Sequence, residues 1–287
     1  MQDTADFDSL VPAARLTRRS FIVTATAAGF ALATQPIHAQ TVIKTDDTGL
    51  ETGNATVDTG SGALPVYFAK PAGGKDLKTV LVVQEIFGVH EHIRDVCRRI
   101  AKLGYLAIAP ELYFRQGDPG KYDNVGDLLA GLVSKVPDAQ VLSDLDKTAD
   151  WAISQGGNPD HLGITGFCWG GRITWLYAAH NPKLKAGVAW YGRLDGVPSE
   201  LNPKHPLDIV KELSAPVLGL YGAQDQGIPV DDVKYMQGEL ESAGKPHEIV
   251  IYPDAGHAFN ADYRPSYREG PAKDGWQRLT DWFAKYL

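Results

Sequence analysis

The sequence predicts an α/β protein, with one domain built on a doubly wound, mostly parallel β-sheet that carries helices on both faces. Short, continuously apolar runs such as residues 79–84 are typical of strands that a parallel sheet buries on both sides. Amphipathic helical patterns separate these runs along the chain. The 30 glycines and 18 prolines suit a chain that contains many strand–helix turns.

The predicted elements alternate in order along the chain. The strands are predicted over residues 63–70, 79–84, 105–109, 161–166, 184–191, 215–221 and 247–252. The helices are predicted over residues 91–103, 138–154, the segment after Gly170, 229–243 and a final stretch that ends at Leu287. Residues 111–137 contain several glycines and prolines and are predicted to form a long connection. No internal repeat or second core indicates a further domain.

The first 39 residues resemble a twin-arginine export signal. Arg18 and Arg19 precede a mildly apolar run, residues 21–33, and Ala39 ends a small-residue cleavage site. The apolar run is too short, and too rich in alanine, threonine and glycine, to be a stable membrane anchor. We therefore expect residues 1–39 to engage the export machinery for folded proteins and to direct the chain to the periplasm.

Charge and cysteine content exclude several kinds of protein. The formal net charge of -7, with no basic stripe, argues against a nucleic-acid-binding protein. Two cysteines cannot form a disulfide framework. Cys97 lies on the apolar stripe of a predicted helix, so we expect it to pack in the core. Residues 40–62 are expected to form a leader with a first edge strand, and residues 63–287 the single domain.

Residues 161–176 combine a strand-like run, a tight turn and a helical pattern. The turn, residues 166–171 (GFCWGG), has the form of a nucleophile elbow with cysteine in place of serine. Such a turn strains the backbone, so small residues must flank the nucleophile. It would expose the sulfur of Cys168 at the end of the sheet. It would also direct the amide of Trp169 towards the atom that the sulfur attacks.

Three other interpretations of this turn compete with the elbow. Cysteine is often a buried core residue, so Cys168 could simply pack. A dinucleotide-binding G-x-G-x-x-G loop would need glycine at the position of Cys168. A redox C-x-x-C pair is excluded because the only other cysteine is Cys97.

Polar residues that suit a cysteine nucleophile follow the last two predicted strands. Asp225 follows one and His257 follows the other, so the chain order Cys168, Asp225, His257 is the nucleophile–acid–base order of α/β-hydrolases. An ordinary thiol is mostly protonated at neutral pH and needs a base, and the base needs its second ring nitrogen fixed. Asp254 is a rival acid, but it lies in the same loop as the histidine.

Four blocks of sequence, in order, resemble the dienelactone hydrolase (carboxymethylenebutenolidase) family. They are residues 84–88 (QEIFG), 111–115 (ELYFR), 166–171 (GFCWGG) and 256–259 (GHAF). The resemblance covers the chain from residue 63 to its end. It implies an α/β-hydrolase fold and an enzyme that cleaves a small lactone or carboxylic ester through a Cys–His–Asp triad and a thioester intermediate. It implies no cofactor and no metal.

The resemblance also implies roles for four further residues. The family glutamate at the position of Glu85 interacts with the thiol and helps to convert it to thiolate when substrate binds. The amides of Ile86 and Trp169 would form the oxyanion hole. Arg115 would bind a carboxylate, which makes an anionic small molecule the expected substrate. Where the family has a second carboxylate-binding arginine, this chain has Phe-Asn-Ala-Asp at residues 259–262, so the natural substrate stays open.

The remaining motif is His90-Glu91-His92. It lacks a third convergent metal ligand, so we expect no metal site and expect both histidines to be exposed at the start of a helix. Two functions compete with hydrolysis. One is a binding protein that captures a small ligand in the same pocket without turnover. The other is a redox-active thiol protein, which would need a resolving partner for Cys168.

Overall fold

The computed structural model describes residues 43–287, and the predicted export signal, residues 1–39, lies outside them. The strands are β1 (Leu50–Asp58), β2 (Ala63–Pro71), β3 (Leu77–Val83), β4 (Leu106–Pro110), β5 (Gly157–Phe167), β6 (Leu184–Trp190), β7 (Val217–Gly222) and β8 (His247–Tyr252). They form one sheet in the order β1-β2-β4-β3-β5-β6-β7-β8. The pairings among β3 to β8 are parallel, and β2 pairs antiparallel with both β1 and β4.

Six α-helices connect or follow the strands of the described chain. They are α1 (Glu91–Lys102), α2 (Val125–Gly131), α3 (Asp138–Ser154), α4 (Trp169–His180), α5 (Val230–Ser242) and α6 (Glu269–Tyr286). Short 3-10 segments occupy Pro119–Lys121, Val133–Lys135 and Pro206–Glu212. None of the helices within residues 43–287 combines the length and hydrophobicity that a bilayer span requires.

Helices cover both faces of the sheet, as the central strand β5 demonstrates. A Cβ added at Gly163 would meet Phe283 of α6, whereas one added at Gly166 would meet Thr174 of α4. Residues three apart on a strand point to opposite faces, so α6 and α4 lie on opposite sides. The predicted doubly wound, mostly parallel α/β fold is therefore confirmed.

Burial of α1 illustrates how the apolar pattern builds this fold. Ile93, Val96, Cys97 and Ile100 recur at helical spacing, and each is fully buried. Burial raises the pKa of the Cys97 thiol far above its ordinary value, because a thiolate would lose its hydration there. Cys97 is thus a core residue, as expected. A reactive cysteine would instead lie at the carboxyl ends of the parallel strands, where sites form in such sheets.

Candidate active site

Cys168 lies between β5 and α4 in a strained backbone conformation. Its φ of 56° and ψ of -115° fall in a region that non-glycine residues rarely adopt. Neighbouring backbone holds it there. Its amide donates to the Trp190 carbonyl (3.0 Å), and its carbonyl accepts from the amides of Gly171 (2.9 Å) and Arg172 (3.2 Å). Strain that surrounding hydrogen bonds maintain is typical of a functional position.

The glycines of the turn permit this close packing. A Cβ at Gly166 would overlap the carbonyl oxygen of Gly170, and a Cβ at Gly170 would overlap that of Val83. A Cβ at Gly171 would lie 2.5 Å from the Trp190 carbonyl oxygen. The first turn of α4 therefore sits directly against the ends of β3 and β6, as a nucleophile elbow requires.

His257 and Asp225 meet at the same edge of the sheet, each in the turn after its strand. Nδ1 of His257 lies 2.7 Å from Oδ2 of Asp225, and both side chains are buried. The other carboxylate oxygen accepts the Gly227 amide at 2.9 Å. Because an ionised carboxylate only accepts hydrogen bonds, Nδ1 must carry a proton. The pair thus orients the imidazole and leaves Nε2 to act on a third group.

The surroundings of His257 raise its pKa. Burial lowers the pKa of His257, but Asp225 and then Cys168 raise it, and the net pKa lies well above the ordinary value. Cys168 is thus close enough to act on the imidazole electrostatically. Within the described chain Nε2 makes no hydrogen bond of good geometry. A raised pKa makes the imidazole a stronger base, which is the property needed to take a proton from a thiol.

Glu85 lies in the turn directly after β3 and is almost completely buried. Its Oε2 accepts the Tyr263 hydroxyl at 2.5 Å, and Nε2 of His90 lies 3.4 Å from the same oxygen. Burial raises the pKa of Glu85, but His90 and Arg264 lower it more, so the net pKa falls below the ordinary value. The carboxylate is therefore ionised at neutral pH.

The amides of Ile86 and Trp169, the expected oxyanion hole, belong to two turns that pack against each other. Trp169 is the first residue of α4, and the amide of such a residue has no acceptor within its own helix. Ile86 lies in the turn after β3, the strand against which the first turn of α4 packs. The expected oxyanion hole would therefore draw its two amides from adjoining segments.

Comparison with known proteins identifies the family. A model of the dienelactone hydrolase family matches residues 64–287. The chain belongs to the dienelactone hydrolase family. It is 59% identical over 283 residues to a protein of Methylorubrum extorquens that is provisionally named carboxymethylenebutenolidase, and the match covers 98% of this chain and 97% of the relative. An Escherichia coli protein with the same provisional name is 57% identical, and the match covers 90% of this chain and 95% of the relative.

A solved structure supports the same assignment. The crystal structure of a Klebsiella pneumoniae protein, provisionally called a dienelactone hydrolase, is 61% identical and superposes with a TM-score of 0.81. The match covers 83% of this chain and 99% of that chain. The family resemblance that the sequence motifs indicated is therefore confirmed, and with it the α/β-hydrolase fold.

Arg115, which the family resemblance offers as a carboxylate ligand, is engaged within the protein. Its guanidinium binds the fully buried Asp144 carboxylate of α3 through two nitrogens, at 2.6 Å and 3.0 Å. It also donates to the hydroxyl oxygens of Thr59 (2.8 Å) and Ser61 (2.7 Å) in the β1–β2 turn. In this dienelactone hydrolase family member the guanidinium thus ties α3 to the edge of the sheet.

Arg264 is a second arginine of the site, and sequence reasoning passed over it because it does not align with the family position. Its guanidinium lies over the rings of Phe87 (4.5 Å) and Tyr263 (4.9 Å). Burial lowers the pKa of Arg264, whereas Tyr263 and Glu85 raise it, and the net pKa is raised. No ion pair within 4.0 Å involves Arg264 in residues 43–287, and its Nε has no hydrogen-bond partner there.

The expectation that His90 and His92 are exposed is wrong. Their side chains are 7% and 0% exposed. The start of α1 packs beneath the segment that follows His257. Nδ1 of His92 lies 3.1 Å from Asp262, and the His90 ring packs edge-on against Tyr263 with centroids 5.1 Å apart. No three His, Cys, Asp or Glu side chains converge as metal ligands in the part of the chain that the structure describes.

A cleft of about 550 Å³ lies elsewhere in the fold. Its lining includes Thr79, Asn158 and Lys183, which lie at the amino ends of their strands, together with Asp146 and His180. The strained cysteine and the His257–Asp225 pair are at the opposite, carboxyl edge of the sheet.

Proposed function

We propose that this protein hydrolyses a small lactone or carboxylic ester by nucleophilic attack of Cys168. The dienelactone hydrolase family supports this type of hydrolase, and the names of the two curated relatives point to a lactone as substrate. The single observation that carries the mechanism is the His257–Asp225 hydrogen bond of 2.7 Å, formed at the sheet edge where the elbow presents Cys168.

In the first half of the proposed reaction, His257 takes the thiol proton, directly or through Glu85, and the sulfur attacks the substrate carbonyl carbon. The carbonyl oxygen becomes an oxyanion that the amides of Ile86 and Trp169 bind. When the tetrahedral species collapses, the carbon–oxygen bond to the leaving group breaks. Protonated His257 returns its proton to that oxygen, which leaves an alcohol and a thioester on Cys168.

In the second half, water resolves the thioester. His257, again neutral, takes a proton from the water molecule, whose oxygen attacks the thioester carbonyl. The same two amides bind the second oxyanion. Collapse breaks the carbon–sulfur bond and releases the acid product. The departing Cys168 sulfur recovers its proton from His257, so each group returns to its starting state.

Turnover separates this proposal from a non-hydrolytic binding protein. The test is a panel of lactones and 4-nitrophenyl esters, with and without a carboxylate, assayed before and after alkylation with iodoacetamide. We expect the protein to hydrolyse members of the panel before alkylation. Alkylation of Cys168 should abolish this activity. Binding of the panel members without any turnover would instead favour ligand capture.

Replacement of Asp225 by asparagine should lower kcat by about 10²- to 10⁴-fold. The amide NH₂ of asparagine can donate to Nδ1 of His257 and so stabilise the wrong tautomer. The raised pKa of His257 should also fall, because Asp225 is its largest raising influence. Steady-state kinetics and an NMR titration of the imidazole would measure both effects. A kcat within about threefold of the unmodified protein would remove Asp225 from the mechanism.

Substrate anions are the proposed ligands of Arg264. Replacement of Arg264 by alanine should raise KM for 4-nitrophenyl hemisuccinate about tenfold or more relative to neutral 4-nitrophenyl acetate, since a charge-assisted hydrogen bond is lost. Arg115→Ala is the matched control. It should lower Tm, because it leaves Asp144 buried without its partner, and should leave the ratio of the two KM values unchanged. If only Arg115→Ala raised KM for the anionic ester relative to the neutral ester, Arg115 would be the residue that binds the substrate carboxylate.

Residues 1–39 are proposed to export the folded enzyme to the periplasm by the twin-arginine route. The paired arginines before the apolar segment support this proposal. A variant with Arg18→Lys and Arg19→Lys should accumulate in the cytoplasm, and fractionation of cells that produce the full chain would measure it. Equal periplasmic amounts of both proteins would contradict export by this route.

A further inference from the structure

The turn between β3 and α1, residues 84–90, carries the Ile86 amide that the proposed reaction uses. Outside the helices and strands of residues 43–287, no hydrogen bond has a backbone group of residues 85–88 as its donor or acceptor. Gly88 within the turn has a φ of 77°, a left-handed conformation that glycine adopts without strain. The shape of this turn is therefore set at its two ends, by β3 on one side and by Val89 on the other.

Two side chains of opposite charge hold the backbone of Val89, which is buried. The Val89 amide donates to Oε2 of Glu111 at 3.1 Å. The Val89 carbonyl accepts from Nε of Arg94, a residue of α1, at 3.1 Å. Buried backbone groups need such partners, and here neither partner belongs to a regular backbone pattern. We call these two contacts the Val89 clamp.

Glu111 is itself fixed by backbone contacts that do not involve its carboxylate. It directly follows β4, and its amide donates to the Pro65 carbonyl of β2 at 2.9 Å. Its own carbonyl accepts the Phe114 amide at 3.0 Å. Because β4 is the parallel neighbour of β3, Glu111 lies at the same edge of the sheet as the turn. The clamp thus ties the turn to an adjoining strand.

The carboxyl group of Glu111 lies close against the turn. A Cβ added at Gly88 would lie 3.3 Å from Oε2 of Glu111. Burial raises the pKa of Glu111 against the opposing influences of the Val89 amide and Arg94, and the net pKa is raised. A carboxyl oxygen can accept a hydrogen bond in either protonation state. The contact with Val89 therefore requires an acceptor oxygen and does not require a charge.

We propose that Glu111 is a positioning residue which, with Arg94, fixes Val89 and thereby holds the Ile86 amide where it can bind the oxyanion. This inference rests on the proposed function, in which that amide stabilises the tetrahedral species. Without the acceptor at residue 111, the buried Val89 amide has no partner, and the turn shifts to hydrate it. Displacement of a catalytic group by about 1 Å can lower a rate about 10²-fold.

The test replaces Glu111 in the full chain by leucine, which has a similar shape but no acceptor, and by glutamine, which keeps an acceptor oxygen. Glu111→Leu should lower kcat for 4-nitrophenyl acetate by about 10- to 100-fold and change KM by less than about threefold. Glu111→Gln should retain kcat within about threefold. Alkylation of Cys168 by iodoacetamide should keep its rate constant within about twofold in both variants, because that displacement forms no oxyanion.

Hydrogen exchange of the Val89 amide, measured by NMR, tests the clamp without any need for turnover. Glu111→Leu should speed this exchange by about tenfold or more, and Glu111→Gln by less than about threefold. If the unmodified protein hydrolyses no ester, the proposed function is contradicted, and exchange at Val89 still decides whether Glu111 holds the turn.

Three results would overturn the proposal: unchanged exchange at Val89 in Glu111→Leu, an equal loss of kcat in both variants, or alkylation slowed as much as hydrolysis. The control is Glu248→Leu on β8, which removes an ion pair with Arg278 and should change none of the readouts. If Glu111→Leu fails to fold, Arg94→Met replaces it. That variant removes the donor to the Val89 carbonyl and should lower kcat with the alkylation rate unchanged.

Discussion

Replacement of Cys168 by alanine should lower kcat/KM for 4-nitrophenyl acetate by about 10⁴-fold or more and should leave the fold intact. This result is expected because the proposed route runs through a covalent bond to sulfur, and no other group can form that bond. Alanine is smaller than cysteine and should fit the turn without disturbing its packing. Steady-state hydrolysis measures the loss, and circular dichroism verifies the fold.

Cys97→Ala is the matched control for this experiment. Cys97 is fully buried on α1, and burial raises its pKa, so it cannot supply a thiolate. Its replacement should leave kcat within about twofold. If Cys168→Ala retained a kcat/KM within about tenfold of the unmodified protein, a different nucleophile or direct attack by water would have to carry the reaction.

The largest effect on stability is expected for Gly166→Ala. An added Cβ would overlap the Gly170 carbonyl and lie 2.8 Å from Oγ1 of Thr174, and neither atom can move without displacing the first turn of α4. Overpacking of this kind should lower the free energy of unfolding by about 3–5 kcal/mol. Chemical denaturation monitored by tryptophan fluorescence would measure it.

Gly238→Ala is the control for the same chemical change. Gly238 lies within α5, and an added Cβ would meet nothing within 4 Å. Alanine there should raise the free energy of unfolding by about 0.5–1 kcal/mol, because glycine is a poor helix former. Gly166→Ala with an unchanged denaturation midpoint would mean that the elbow is looser than the structure indicates.

The parts of the fold that the sequence predicted are those that local patterns determine. Apolar runs such as residues 79–84 became central strands, because such runs are stable only when both faces are buried. The helix predicted over residues 138–154 has those bounds as α3. Chain order placed Asp225 and His257 after adjacent strands, and the structure brings them into contact. Asp254, the rival acid, is exposed.

The parts that the sequence did not predict depend on partners far away in the chain. His92 is buried because it meets Asp262, which lies 170 residues further on, and no local pattern reports such a contact. Arg115 meets Asp144 across a long connection, and its side chain is thereby engaged. Arg264 is not at the position of the family's second arginine. The loop that follows His257 brings it near Glu85. The burial and ion pairing of these side chains depend on long-range contacts, which only the three-dimensional fold shows.

The most direct test of the central claim is detection of the acyl-enzyme. The protein, mixed with excess 4-nitrophenyl acetate and quenched in acid within milliseconds to seconds, should carry one additional acetyl group by intact-mass spectrometry. Peptide mapping should place that group on Cys168, and Cys168→Ala should carry none. Rapid turnover with no acyl adduct at any quench time, or an adduct on another residue, would contradict nucleophilic catalysis by Cys168.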